Sequence, residues 1–148
     1  MSTEHRGGHL ANEYCHFYED DAFVETDRAG FRRRVITGTD LQLCFWRIAG
    51  GSTGSYLHHH PANEQLGIVV RGKLDFRIGD PGDERRVVLG EGDCYLAPRD
   101  VWHGDSVFVG DDVYGECWIL DVFAPPRDDL RVNADHQAVA ADVDGATA

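Results

Sequence analysis

The chain has 148 residues, 42% of them hydrophobic and 27% charged, with a formal net charge of −12 at pH 7. That length fits one domain whose core needs no disulfide staples. The acidic balance argues against nucleic acid, whose phosphates demand clustered Lys and Arg, and against an anionic membrane surface. It leaves open an anionic small ligand wherever local positive charge outweighs the global field.

Residues 1–13 are polar and Gly-containing, with neither the apolar stretch nor the cleavage site of a secretory signal, and read as an N-terminal arm. No apolar run approaches the roughly 20 residues of a membrane-spanning helix. From 14 to 133, short segments rich in Val, Ile, Phe, Trp and Tyr alternate with Gly, Asp and Pro. Strands are expected over 41–48, 55–60, 66–71, 73–78, 86–89, 93–97, 106–109 and 113–123. In 73–78, Leu74, Phe76 and Ile78 alternate with Lys73, Asp75 and Arg77, and Gly79-Asp80-Pro81-Gly82-Asp83 reads as a hairpin turn. Many short, evenly spaced strands make an all-β sandwich or barrel. Residues 134–148, rich in Ala and Asp, read as a flexible tail. Cys15, Cys44, Cys94 and Cys117 form no C-x-x-C pair and are expected as free, buried thiols of a cytoplasmic protein.

The most informative stretch runs from Gly54 to Gln65. On a strand, His58 and His60 point one way and His59 the other. Two imidazoles about 7 Å apart on one strand face can converge on a single ion. Pro61-Ala62-Asn63 then turns the chain and brings Glu64 or Gln65 back beside them. A second segment, Gly92 to His103, is a Gly-Asp turn, a short apolar strand, a Pro turn and a histidine flanked by Val101 and Trp102, which would partly shield it. A buried imidazole needs a partner, and a metal is one. Imidazole suits zinc, iron, nickel, copper and manganese.

Together these segments resemble the cupin family. Its first motif, H-x-H, then three or four residues, Glu, six residues and Gly, is matched by His58, His60, Gln65 and Gly72; its second, Gly, five residues, P-x-G, two residues and His, by Gly92, Pro98, Asp100 and His103. Asp100 replaces a glycine, and Asp tolerates the left-handed conformation better than most residues. Gln65 stands where the family carries Glu; Glu64 is adjacent, but a one-residue shift flips a strand side chain to the other face. The resemblance implies a cupin-type double-stranded β-helix (a jelly-roll barrel) holding one divalent transition metal (Zn, Fe, Ni or Mn) on His58, His60, His103 and Gln65. It also implies a homodimer, with Val, Phe and Tyr side chains around 14–24 as its expected contact. Four neutral donors leave the ion's full charge uncompensated, which favours Lewis-acid chemistry over redox cycling.

Along 113–123, Asp121 shares a face with Cys117, Ile119 and Phe123, and a carboxylate on an apolar face is a candidate acid or base. Pro125-Pro126 stiffens the exit from this strand and aims Arg127. Asp121, Phe123 and Arg127 match the spacing of the pectin-degradation cupins, which open the ring of unsaturated uronates. By that resemblance Asp121 shuttles a proton, Phe123 lines the pocket and Arg127 holds a carboxylate. Trp102, beside His103, points to a different ligand shape. The expected function is a metal-dependent isomerase- or lyase-type enzyme acting on a small oxygenated acid by non-redox proton transfer. A non-haem Fe(II) dioxygenase and a non-catalytic small-molecule-binding cupin are the alternatives.

Overall fold

Alternation of apolar and polar side chains sets two faces on almost every strand of the computed structural model, which describes residues 14–54 and 57–131. The strands are β1 (Val24–Glu25), β2 (Phe31–Thr37), β3 (Gln42–Ala49), β4 (Glu64–Arg71), β5 (Lys73–Ile78), β6 (Arg85–Leu89), β7 (Cys94–Ala97), β8 (His103–Val109) and β9 (Glu116–Ala124). They form a six-stranded sheet, β1-β2-β3-β9-β4-β7, and a three-stranded sheet, β6-β5-β8. Phe31, Ile48, Val69, Cys117 and Ile119 of the larger sheet pack against Leu74, Phe76 and Phe108 of the smaller one. The result is an all-β double-stranded β-helix whose core lies between the sheets. No helix among the described residues is long and apolar enough to cross a membrane.

The outer side of the larger sheet is also covered. Trp118 is fully buried there, stacked on Phe17 (centroids 5.3 Å apart) with Tyr18 edge-on at 5.0 Å and the Arg47 guanidinium 4.7 Å from its ring. Phe17 and Tyr18, in the segment expected at a subunit contact, thus lie against the chain's own sheet.

Strand 73–78 stands as read, and its turn closes with Asp83 N–H donating to the Asp80 carbonyl at 2.8 Å, Gly82 at φ 91°. The last strand starts at Glu116 rather than 113, because Asp111 Oδ1 accepts from Tyr114 N–H and folds that stretch into a turn. Strand 106–109 starts three residues early, at His103. Gly104 (φ 134°) and Asp105 (φ 52°) do not end it but sit where the β5–β8 register slips. In 55–60, the described residues form no strand; His58 makes one isolated bridge to His103. β2 was not expected, since Arg32-Arg33-Arg34 hides its alternation. Of the cysteines, Cys44 and Cys117 are buried, but Cys94 is exposed on the edge strand β7 and Cys15 is half-buried. The arm 1–13 and tail 134–148 lie outside the described residues.

Candidate metal centre

The bridge that replaces the expected strand creates the site. His58 N–H donates to the His103 carbonyl at 2.9 Å and His103 N–H to the His58 carbonyl at 2.8 Å, locking the two backbones in register. The rings of His58, His60 and His103 then stand 4.6–5.1 Å apart by centroid, and their ligand nitrogens all lie within 4.8 Å of one another. His59 turns away, as alternation requires, and its Nδ1 meets Asp100 Oδ1 at 3.1 Å. Asp100 does adopt the left-handed conformation (φ 68°), and its N–H donates to the His60 carbonyl at 3.0 Å. Trp102 packs against His59, with ring centroids 4.3 Å apart and planes tilted by 44°, and does not line the cavity.

Burial pushes His60 down to about 2 and His103 down to about 3, with Arg127 and the neighbouring imidazoles adding to the effect. Both rings are neutral and carry a lone pair. The Nε2 of His60 is buried without a hydrogen-bond partner. In His103, Nδ1 lies 3.0 Å from the Val101 carbonyl, which can only accept, so Nδ1 carries the proton and Nε2 is bare. That bare nitrogen faces Gln65 Oε1 at 3.0 Å. Two acceptors in this position call for a cation between them or for the amide turned over. An orphaned imidazole nitrogen, converging lone pairs and an amide oxygen are the donor set a divalent transition metal takes.

Gln65 belongs to the inward series of β4 and is 6% exposed, whereas Glu64 falls on the opposite face. The amide is oriented from behind by Tyr95, whose hydroxyl accepts from Gln65 Nε2 at 2.8 Å. Tyr95 reaches it by lying across Gly67, its cross-strand partner, where any Cβ would overlap the phenol ring. Sequence reasoning singled out neither residue.

His58 and His103 open onto a cavity of about 120 Å³ that Gln65, Asp121, Phe123 and Arg127 also help line. Asp121 is buried; Trp46 Nε1–H donates to its Oδ2 at 3.2 Å, and its Oδ1 has no partner. Burial raises its carboxyl to about 6, against hydrogen bonds from Gln65 and Trp46 and the charge of Arg127. Phe123 sets its ring edge-on to His60 at 5.9 Å, and the Arg127 guanidinium lies 4.9 Å above that ring. Arg127 is no free surface cation. Its Nε and Nη2 donate to the two oxygens of Asp129 at 3.0 and 2.6 Å.

Residues 44–111 match the family model of the cupin domain. The chain carries a cupin domain. A structure of KdgF from Halomonas sp. shares 27% identity with this cupin over 74% of it and 90% of that chain, with a TM-score of 0.61. An RmlC-like cupin from Shewanella frigidimarina NCIMB 400 shares 25% over 78% and 96% of the two chains, TM-score 0.60. An oxalate decarboxylase from Bacillus subtilis with Mn(II) centres shares 18% over 81% of this chain and 32% of that one, TM-score 0.58, a likeness of fold alone. Among curated proteins no match was found.

Proposed function

We propose that this cupin is a metal-dependent enzyme that moves a proton on a small oxygenated acid, with an unsaturated uronate as the first candidate substrate. The observation that carries the reading is Asp121. It is a buried carboxylate with one oxygen fixed by Trp46 and the other unpartnered, lining the same cavity as His58, Gln65 and His103. A carboxyl raised to about 6 exchanges its proton near neutral pH, as a general acid or base must.

His58, His60, His103 and Gln65 would hold the ion, which when bound supplies Lewis acidity at a ligand oxygen. Asp121 gives or takes the proton at Oδ1. Phe123 forms an apolar wall that excludes water from that oxygen. Arg127, aimed over Phe123 by Asp129, draws the ligand's carboxylate toward the cavity against the acidic background of the chain. At roughly 10–15 Å³ per water, a cavity of about 120 Å³ has room for a monosaccharide-sized acid. The match of Asp121, Phe123 and Arg127 to the spacing of the pectin-degradation cupins supports the same substrate class.

The test is anaerobic incubation of the metal-loaded full chain with a 4,5-unsaturated galacturonate, following loss of the conjugated double bond. Turnover without oxygen that Asp121→Asn abolishes is expected. Strict dependence on O₂ would replace the reading with an iron dioxygenase.

A further inference from the structure

Arg33 sits in the inward series of β2 between Phe31 and Val35 and is 3% exposed. Its Nε has no hydrogen-bond partner, and among the described residues no carboxylate pairs with its guanidinium. Its aromatic neighbour is Trp46, 5.5 Å away by ring centroid. A guanidinium cannot escape burial by losing its proton, so the charge stays and its desolvation is uncompensated. Cys44, on the neighbouring strand, supplies no counter-charge, because burial keeps its thiol protonated. Two other arginines among the described residues with buried side chains each have an acid. Arg47 pairs with Glu116 and Asp20, and Arg127 with Asp129.

Arg33 lines the same cavity as Asp121 and Arg127, and the two guanidinium groups repel each other across it. An anion placed between them relieves both the repulsion and the buried charge. The rest of the wall continues toward the histidines. Trp46, beside Arg33, donates to Asp121; Asp121 and Gln65 line the same wall, and Gln65 faces His103. An acid held at Arg33 therefore lies along Asp121 with its remaining oxygens toward the imidazoles.

We propose that Arg33 is the buried half of a carboxylate subsite completed by Arg127, and that Arg33 selects acids over neutral analogues of the same size. This rests on the reading above only in taking the cavity as the ligand site. The planar fork matches a carboxylate in two parallel hydrogen bonds.

The test titrates metal-loaded full-length protein calorimetrically with D-galacturonate, with D-galactose and with inorganic phosphate. Wild type is expected to bind D-galacturonate and neither of the others. Arg33→Met should weaken that binding by roughly tenfold or more, keep the metal, and raise the melting temperature of the ligand-free protein, since an unpaired buried charge is replaced by an apolar chain. A residue that only supports the fold would lower it. Equal affinity in Arg33→Met, a wild type that binds no D-galacturonate, or one that prefers D-galactose or phosphate would overturn the proposal. If Arg33→Met does not fold, Arg33→Lys decides: it keeps the charge and loses the fork, so several-fold weaker binding supports the subsite and wild-type affinity overturns it. Turnover is read separately. A wild type that binds the acid but leaves a 4,5-unsaturated uronate unchanged removes the proposed reaction and leaves Arg33 standing; turnover with KM unchanged in Arg33→Met does the reverse.

Discussion

Trp46 on β3 donates its indole N–H to Asp121 Oδ2 on β9 at 3.2 Å, and this one bond decides which oxygen of the carboxylate is left for a proton. Trp46→Phe keeps an aromatic ring in the core and removes the donor that stabilises the anion. The Asp121 carboxyl, already raised to about 6, should rise further, and the acid limb of the kcat–pH profile should move to higher pH. An unmoved limb in that profile would show that the indole does not control the carboxyl.

The burial that tunes Asp121 also costs stability. Its folded value of about 6 exceeds the ordinary 3.8, so between the two the folded state binds more protons than the unfolded chain. Stability from this group is greatest below the lower value and falls as pH rises through the upper one. A shift of about two units corresponds to roughly 3 kcal/mol. Asp121→Asn should therefore melt higher than wild type at pH 7.5, with the gap closing toward pH 4, while kcat falls by roughly 10²–10⁴ and metal content holds. Equal melting temperatures at pH 7.5 would mean that the carboxylate is better solvated than its burial indicates.

His60 and His103 present neutral nitrogens that no proton competes for near neutral pH, given His60 at about 2 and His103 at about 3, and His58 stands beside both. Full-length protein purified without a His-tag should carry close to one divalent ion per chain by elemental analysis. His58→Ala, His60→Ala and His103→Ala should each lose most of it, since a three-imidazole group loses geometry along with affinity. Full metal content in the triple variant would put the ion elsewhere.

The histidines, Gln65 and Asp121 were legible because each follows from a period of two: His58 and His60 skip His59, Gln65 falls in the inward series of β4, and Asp121 in that of β9. What was missed broke that period or hid inside it. Gly104-Asp105 looks like a turn, yet it lies within β8 at a register slip. Arg32-Arg33-Arg34 looks like a solvated charge run, but only the flanking Phe31 and Val35 reveal that its middle member points inward. Tyr95 was invisible as a support for Gln65 because its reach depends on a cross-strand pairing with Gly67 that no local pattern encodes.

That pairing gives the last prediction. Gly67 leaves room for the Tyr95 ring, Tyr95 accepts from Gln65 Nε2, and Gln65 Oε1 is thereby turned toward His103. Gln65→Ala should weaken metal retention or activity more than Glu64→Ala, because Glu64 lies on the other face of β4. Tyr95→Phe should be milder. It keeps the packing on Phe76, 4.7 Å away, but leaves the amide free to turn its nitrogen toward His103. Gly67→Ala must displace the ring itself, so it should resemble Gln65→Ala in metal affinity and also lower the melting temperature, as overpacking does by about 1–3 kcal/mol. Metal titration of the four variants gives the expected order of loss, Gln65→Ala and Gly67→Ala above Tyr95→Phe above Glu64→Ala. If Glu64→Ala proves the most damaging, the register across Pro61–Asn63 is off by one, and the carboxylate, not the amide, meets the ion.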